Sequence, residues 1–343
     1  MDSPVSSVPT LDEREHLPAG LLDCRADELA HYLDGPTLFH LAGRREPPLF
    51  VSVLLHGNET TGWEAVRRVL ARYGTGELPR SLVLFVGNVA AAATGERRLP
   101  EQPDYNRIWR GEGTAEHALA AQVWRRMAER GLFASIDIHN NTGRNPHYGC
   151  INRLDPRYLR LATLFSRTVV YFTQPDAVQS NAFAELGPAV TVECGRPGEE
   201  RGEAHAAELV DAALNLTELS EAPVPAHDYD LFHTVATVTV PPELDFGFDS
   251  GDLVLRADLD RLNFVELPAG TGLGAVSSAV TGPEGVVAAR NEAGEDVVDR
   301  YFTLDGGELR TQLPVMPSML TRDPAIIRQD CLCYLMERLP AIS

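Results

Sequence analysis

The chain has 343 residues, of which 44% are hydrophobic and 23% charged, enough for one large or two medium domains with a sizeable core. Thirty basic and 49 acidic residues give a net charge of −19, which argues against nucleic acid and anionic membranes as partners. Because the sequence has no run of about 18 apolar residues, no visible secretory signal and only five scattered cysteines, we expect a cytoplasmic protein without membrane spans or a disulfide framework.

The predicted strands and helices alternate up to about residue 220. Strands are predicted at residues 38–41, 49–55, 81–86, 134–138, 169–172 and 189–192, and helices at 61–73, 114–130, 156–167 and 202–219. We expect the first two strands to form a hairpin across the polar residues 43–48. Residues 87–113 have no regular pattern, and loops this long are usually functional or disordered. The alternation predicts an α/β fold with a largely parallel sheet flanked by helices and ligands at the carboxyl ends of its strands.

The pattern changes beyond residue 220. Residues 221–225 have the composition of a linker, and short alternating β-like runs punctuated by Gly, Pro, Asp and Asn follow it. We therefore predict two domains, with residues 1–222 catalytic and residues 223–343 forming a smaller β-rich domain. Residues 324–338 fit either a helix or a strand.

His56 and Glu59 are the first candidate pair for chemistry. They stand three apart between the buried strand 49–55 and the helix 61–73, so both side chains can point at one spot. That geometry suits two ligands of one Zn²⁺. The alternative is a strand-end histidine followed by an exposed glutamate that opens a helix.

His139 follows the next candidate strand and lies in the expected ligand-binding rim. Asp137 shares its strand face and could hold the second N–H of a zinc-bound imidazole. The alternative is a core histidine with satisfied hydrogen bonds. Glu193 ends the strand at 189–192, where apolar surroundings raise a carboxyl pKa toward the range of a general base. The alternative is a carboxylate that caps the following loop.

The long loop carries Asp104-Tyr105-Asn106-Arg107, in which the arginine could grip a carboxylate or polarise a carbonyl. Asn106 could add hydrogen bonds. The alternative is an arginine in solvent. Cys194 beside the candidate base could suggest a thiol enzyme, but no histidine is available to activate it.

Together these motifs resemble the succinylglutamate desuccinylase/aspartoacylase family of zinc hydrolases, relatives of the zinc carboxypeptidases. The family order is H-G-N-E, a loop with Gly-x-Arg, D-x-N-R, D-x-H-N and E-x-G. The matching segments are His56-Gly57-Asn58-Glu59, Gly95-Glu96-Arg97-Arg98, Asp104-Tyr105-Asn106-Arg107, Asp137-Ile138-His139-Asn140 and Glu193-Cys194-Gly195. The resemblance covers about residues 48–220 and implies a zinc carboxypeptidase-like fold, with the β-rich tail corresponding in kind to the family's second domain.

The resemblance also implies roles for individual residues. One Zn²⁺ per chain would be bound by His56, Glu59 and His139, with Glu193 as general base and then acid. Arg107 would steady the carbonyl oxygen or a substrate carboxylate, with Asn106 beside it. Arg98 stands near the family's loop arginine that faces substrate, and Arg97 is the alternative match.

Some segments depart from the family pattern. Residues 174–185 lack the Tyr and Arg with which aspartoacylases bind the substrate's side carboxylate, which argues against N-acetylaspartate as substrate. The family's C-terminal tyrosine has no clear counterpart. The chain instead carries an additional polar cluster at 144–148, in which Arg144 or Tyr148 could reach substrate or could simply structure the loop.

The sequence thus predicts a zinc-dependent hydrolase acting on an N-acyl amino acid or a related small amide. The alternatives are a carboxypeptidase-type peptidase acting on short peptides, a catalytically inactive binding protein that keeps the fold, and a thiol hydrolase. We expect a small-molecule partner, with no nucleic acid or membrane, and a homo-oligomer is possible. The substrate's identity is not predicted.

Overall fold

Seventeen strands and eight helices form within residues 10–141, 143–278 and 280–342, the part of the chain that the computed structural model describes. The expectation about an N-terminal secretory signal lies outside these residues. The strands are β1 (Asp12–Arg14), β2 (Thr37–Leu41), β3 (Leu49–Val53), β4 (Leu82–Val86), β5 (Ala134–His139), β6 (Tyr148–Ile151), β7 (Thr168–Tyr171), β8 (Ala189–Glu193), β9 (Asp230–Thr239), β10 (Phe246–Gly247), β11 (Leu253–Leu255), β12 (Gly272–Val276), β13 (Ala288–Arg290), β14 (Phe302–Asp305), β15 (Glu308–Thr311), β16 (Met316–Ser318) and β17 (Cys333–Arg338).

The helices follow the predicted positions for the four longest elements. They are α1 (Thr61–Tyr73), α2 (Val89–Thr94), α3 (Ala115–Arg130), α4 (Pro156–Thr163), α5 (Gln179–Phe183), α6 (Glu200–Asn215), α7 (Val298–Tyr301) and α8 (Pro324–Gln329). Within the described ranges, none of them is long and apolar enough to cross a membrane. The short helices α2 and α5 and the strand β6 were not predicted, because each has too few residues to show a periodic pattern.

The main sheet is mixed and largely parallel, as predicted. Its strand order is β1-β2-β4-β3-β5-β8-β6-β7-β9-β17-β16, with β13 paired to β9. The strands β4, β3, β5 and β8 run parallel to one another at its centre. Strands buried on both faces read as continuous apolar runs, which is why this part of the sheet was visible in the sequence.

Helices cover both faces of this central region. Gly62 of α1 lies against Val53 of β3, whereas Phe183 of α5 stacks on Phe50 of the same strand with ring centroids 4.4 Å apart. Since Val53 and Phe50 are an odd number of residues apart, they point to opposite faces. The predicted α/β class with flanking helices is therefore confirmed.

The predicted hairpin between β2 and β3 is wrong. β2 pairs antiparallel with β4, and β4 lies between β2 and β3 in the sheet. β4 therefore occupies the place beside β2 that β3 would take in a hairpin.

The region after residue 222 is β-rich, and part of it extends the main sheet. β9 pairs parallel with β7, and β17 and β16 continue the sheet beyond β9. A second, five-stranded sheet with the order β10-β11-β12-β15-β14 lies wholly in the C-terminal region. The domain boundary at 222/223 remains a prediction, although the hydrogen bonding of the main sheet crosses it. Segment 324–338 contains both a helix, α8, and a strand, β17.

Candidate metal centre

Three adjacent parallel strands bring the main candidate residues to one edge of the sheet. His56 follows β3, His139 is the last residue of β5, and Glu193 is the last residue of β8. His139 and Glu193 are register partners. The chain turns sharply at the end of β3, where Leu54 adopts a φ of 56°, a value that is rare for leucine. This turn directs the residues that follow β3 over the ends of the neighbouring strands.

His56, Glu59 and His139 converge as a buried group. Their ligand atoms all lie within 4.8 Å of one another. The two oxygens of Glu59 each lie 2.8 Å from a histidine nitrogen, Oε1 from Nδ1 of His56 and Oε2 from Nδ1 of His139. Two imidazoles and a carboxylate that converge in this way form a suitable three-ligand set for Zn²⁺.

The outer nitrogen of each histidine faces another carboxylate. Nε2 of His56 lies 2.9 Å from Oδ1 of Asp104, and Nε2 of His139 lies 2.7 Å from Oδ2 of Asp137. Such carboxylates fix the tautomer and ring orientation of metal-binding histidines, leaving Nδ1 as the ligand atom. The residues present therefore fit a bound metal ion. The sequence indicated Asp137 for this position, whereas the contact of Asp104 was not foreseen.

The side chains of this group stabilise one another's charged forms. Burial alone would raise the pKa of Glu59, but His56 and His139 outweigh it and hold that pKa well below its ordinary value. Burial would lower the pKa of His139, but Asp137 and Glu59 outweigh it and raise that pKa. A cluster of this kind keeps its carboxylates ionised in a buried place, which is what a cation site requires.

Glu193 stands beside this group without belonging to it. Burial raises its pKa to about 7, and Glu59 reinforces the rise, whereas His139 and a hydrogen bond from Asn141 oppose it. Nδ2 of Asn141 lies 3.4 Å from Oε2 of Glu193. A carboxyl group with a pKa near 7 can exchange a proton near neutral pH.

Of the two loop arginines, Arg97 is the one that reaches the metal ligands. Its Nη1 donates to Oε1 of Glu59 at 3.4 Å, and its Nε and Nη2 donate to Oδ2 of Asp104 at 3.2 and 3.0 Å. Arg98 donates to the carbonyl of Gln102 at 2.7 Å and lines only a neighbouring cavity. The structure therefore brings Arg97, rather than Arg98, to the candidate site.

The residues Asn106 and Arg107 both reach the central cavity. Asn106 is buried, its Nδ2 lies 3.4 Å from Nε2 of His139, and its Oδ1 accepts a hydrogen bond from the backbone of Gln179. Arg107 donates to the carbonyl of Asn106 at 2.9 Å and lines both the central and the neighbouring cavity. Asn106 is thus held in place, while Arg107 faces the space where a substrate would lie.

The two candidates from the polar cluster at 144–148 lie in different places. Tyr148 is buried, is the register partner of Glu193 and lines the central cavity. Arg144 is exposed, lies 3.6 Å from Asp260 and lines a separate outer cleft. The structure therefore brings Tyr148 to the candidate site and leaves Arg144 outside it.

The central cavity has a volume of about 130 Å³ and includes residues that the sequence did not indicate. Met319, Asp330 and Tyr334 reach it from the C-terminal region. No local pattern marks these residues. Tyr334 lies on β17, which pairs with β9, and Met319 follows β16, which pairs with β17. Tyr334 is a tyrosine from the region where the family resemblance predicts one.

The chain is similar to known proteins of one family. A family model described as the succinylglutamate desuccinylase/aspartoacylase catalytic domain matches residues 46–219. A curated succinylglutamate desuccinylase from Pseudomonas paraeruginosa is 37% identical to this chain over 86 residues. Another, from Pseudomonas putida, is 37% identical over 103 residues. The chain spans 25% and 29% of the length of these relatives, and the aligned parts are 24% and 29% of this chain.

Solved structures share the fold at lower identity. A succinylglutamate desuccinylase from Chromobacterium violaceum has a TM-score of 0.53 at 20% identity, over 88% of this chain and 87% of that chain. A protein from Rhodobacter sphaeroides described as succinylglutamate desuccinylase/aspartoacylase has a TM-score of 0.58 at 15% identity, over 88% of each chain. Murine aminoacylase 3 has a TM-score of 0.56 at 17% identity, over 86% of this chain and 97% of that chain. At these identities the likeness shows the fold alone.

Proposed function

This chain belongs to the succinylglutamate desuccinylase/aspartoacylase family, and from that premise we propose that it is a zinc-dependent hydrolase that cleaves the amide bond of an N-acyl amino acid or a related small amide. The observation that carries the proposal is the convergence of His56, Glu59 and His139 beside a carboxyl group, Glu193, that is not one of the ligands. A metal site for storage or structure has no need of such a neighbour.

The three converging residues would hold one Zn²⁺ per chain, through Nδ1 of each histidine and the carboxylate of Glu59. When bound, the ion supplies a Lewis acid that polarises a carbonyl group and lowers the pKa of a water molecule. Asp104 and Asp137 keep the two imidazoles oriented by holding their Nε2 atoms.

Glu193 would act as the general base. With a pKa raised to about 7, its carboxylate can take a proton from the attacking water near neutral pH, and its acid form can then give that proton to the leaving amine. Arg107, and Asn106 behind it, would hold the carbonyl oxygen or a carboxylate of the substrate. The products are a carboxylic acid and a free amino acid.

A carboxypeptidase-type peptidase is the alternative function. The same donor set serves both reactions, and Arg107 is a cation at the cavity that could bind the C-terminal carboxylate of a short peptide. In both reactions the amino acid with the free carboxylate is the leaving amine, so the two functions differ in the acyl side, which is a simple acyl group in one and a peptide in the other.

A chelator experiment with a substrate panel tests the proposal. Purified protein is stripped of metal, reloaded with zinc and assayed on N-acyl amino acids, free short peptides and peptides with a blocked C-terminus. We expect hydrolysis of N-acyl amino acids that disappears with the chelator and returns with zinc. Preference for free peptides would favour the peptidase, and hydrolysis that is insensitive to the chelator would contradict the proposal.

Two variants complete this experiment. Glu193→Gln is expected to abolish hydrolysis, because the amide cannot accept the proton. Cys194→Ser is the matched control, since this buried thiol has its pKa raised by burial and is expected to play no part in the reaction. Loss of activity in Cys194→Ser with Glu193→Gln still active would favour the thiol hydrolase.

The remaining expectations stay proposals. We propose a small acyl-amino-acid substrate as the partner of the site, a cytoplasmic location and the possibility of a homo-oligomer. Light scattering coupled to size-exclusion chromatography measures the oligomeric state directly.

A further inference from the structure

The floor of the central cavity extends away from the metal centre across four strands. β8 is followed in the sheet by β6, β7 and β9. We call the part of the cavity above these strands the inner slot, and its floor consists of Thr191, Tyr148, Cys150, Val170, Phe172 and Thr234. Adjacent strands are about 4.8 Å apart, so the three steps from β8 to β9 span roughly 14 Å.

The strand register explains why these side chains share one face. Tyr148 pairs with Glu193 and Cys150 pairs with Thr191 across β6 and β8. Cys150 also pairs with Val170 across β6 and β7. Paired residues lie side by side on the same face of a sheet. Val170 in turn pairs with Phe232 on β9, and Thr234 lies two residues further along the same face of that strand. The slot therefore extends from Glu193 toward Thr234.

The floor of the inner slot is uncharged. Among the described residues that line the cavity, the six floor residues include no lysine, arginine, histidine or acidic side chain. Pro175, Val178, Ser318 and Met319 also line the cavity, and Tyr334 lines it within electrostatic reach of Asp330, Arg107 and Arg97. Burial, reinforced by Glu193, raises the pKa of the Tyr148 hydroxyl and the Cys150 thiol well above their ordinary values, so both stay neutral at pH 7.

Two cations, Arg97 and Arg107, line the same cavity but do not belong to the floor of the slot. Arg97 donates to Glu59 and Asp104, both of which bear negative charge. Arg107 lies on the loop beside Asn106. A substrate carboxylate placed over the floor of the inner slot would find no cation among the floor side chains and would be desolvated near Glu193. Burial of an unpaired carboxylate is strongly unfavourable, whereas burial of an apolar group is favourable.

We propose that the inner slot binds an uncharged, mainly apolar group of the substrate, so that this enzyme prefers N-acyl amino acids with an aliphatic or aromatic group where succinylglutamate carries a carboxylate. The inference rests on the proposed function, because it assigns the specificity of the same site. It distinguishes this chain from what the names of its curated relatives indicate. Arg107, which lines the cavity outside this floor, remains available for the single α-carboxylate that every N-acyl amino acid has.

A panel of four substrates tests the inference on the wild-type protein. The acyl group is either succinyl or 4-methylpentanoyl, and the amino acid is either glutamate or homoleucine. In each pair an isopropyl group replaces a carboxylate of similar shape. We expect kcat/KM to be at least about tenfold higher for the apolar member at one of the two positions, and that position identifies the group in the slot. The inference is overturned if N-succinylglutamate is the best substrate or if both replacements leave kcat/KM unchanged.

A binding measurement separates this inference from the proposed function. Isothermal titration calorimetry compares 4-methylpentanoate with succinate on the zinc-loaded protein. Tighter binding of 4-methylpentanoate with no hydrolysis of any panel member would refute the proposed reaction and support the slot. Hydrolysis of the panel with tighter binding of succinate would support the reaction and refute the slot. Equal binding of the two acids also refutes the slot.

A matched pair of variants at Thr234 tests the position of the slot. Thr234→Lys places a cation at the end far from the metal centre and is expected to reduce the preference for the apolar group at least about tenfold. Thr234→Val, of similar size, removes the hydroxyl and is expected to strengthen that preference. If Thr234→Lys folds and leaves the preference unchanged, the slot does not bind substrate there. If the Thr234→Lys variant does not fold, the substrate panel and the calorimetry on the wild-type protein still test whether the slot binds an apolar group.

Discussion

Nε2 of His139 lies 2.7 Å from Oδ2 of Asp137, a carboxylate that is completely shielded from solvent. The two residues are two apart on β5 and therefore share a face of the strand. The hydroxyl of Ser52 on the neighbouring strand donates to the other oxygen of Asp137 at 2.6 Å. This chain of contacts fixes the imidazole so that Nδ1 faces Glu59. The orientation of this candidate metal ligand is thus fixed by side chains of the sheet.

Replacement of Asp137 tests this orientation. Asp137→Asn keeps the size of the side chain but removes the charge that holds Nε2 of His139. We expect the affinity for zinc to fall about 10- to 100-fold, as measured by competition with a chromophoric chelator. Ser52→Ala, which leaves the carboxylate in place, is expected to have a smaller effect. Unchanged zinc affinity in Asp137→Asn would show that the contact does not orient the ligand.

Replacement of Arg97 by alanine is predicted to lower the stability of the protein more than replacement of Arg98. Arg97→Ala leaves Asp104 and Glu59 without their guanidinium partner, and its partly exposed position reduces the cost to about 1–3 kcal/mol in the unfolding free energy of the metal-free protein. Arg98→Ala removes one hydrogen bond to the Gln102 carbonyl and should cost less than about 1 kcal/mol. Urea titration of both variants checks the order, and the reverse order would contradict our assignment of Arg97.

Gly57 is predicted to tolerate no larger residue. A Cβ at this position would lie 2.3 Å from the backbone carbon of Ala91 in α2. Gly57→Ala therefore has to push α2 away from the turn that carries His56 and Glu59. We expect a loss of about 1–3 kcal/mol in stability and weaker zinc binding. Gly35→Ala is the control, since a Cβ there meets nothing within 4 Å and should change stability by less than about 0.5 kcal/mol.

The pKa of Glu193 predicts the direction of the pH dependence. In the metal-free protein burial raises this pKa to about 7, so Glu193 is increasingly protonated below that pH and cannot accept a proton. We expect its carboxyl group to titrate at about pH 7 in the metal-free protein, followed by the carbon-13 chemical shift of that group, whereas an ordinary glutamate titrates at 4.5. Asn141→Ala removes a hydrogen bond that favours the carboxylate and should move the midpoint to higher pH. In the zinc-loaded enzyme we expect kcat/KM to fall as the pH is lowered, because the acid form of Glu193 cannot accept a proton. A midpoint near 4.5 in the metal-free wild type would contradict the raised pKa of Glu193.

The sequence was sufficient to predict the centre of the fold and the convergence of His56, Glu59 and His139. Strands such as β3, β5 and β8 are buried on both faces, so their apolar runs are visible without knowledge of the neighbours. Because His139 and Glu193 end such strands, their placement at one edge of the sheet follows from parallel pairing. For these residues the local sequence pattern is therefore enough to predict the position in the fold.

Other features depend on contacts between distant segments and were not predictable. The contact of Asp104 with His56 requires the long loop to cross the site, and Tyr334 enters the cavity only because β17 pairs with β9. The choice between Arg97 and Arg98 depends on the direction of each side chain within that loop. The hairpin was mispredicted because β4, later in the chain, inserts between β2 and β3.

The central claim is that one zinc ion at His56, Glu59 and His139 supports amide hydrolysis with Glu193 as base. Titration of the metal-free protein with zinc, with the initial rate of hydrolysis of the best N-acyl amino acid as the signal, tests it most directly. We predict that the rate rises to a plateau at one zinc per chain and that Glu193→Gln binds the same amount of zinc without hydrolysis. Full activity before zinc is added, or equal activity in Glu193→Gln, would contradict the claim.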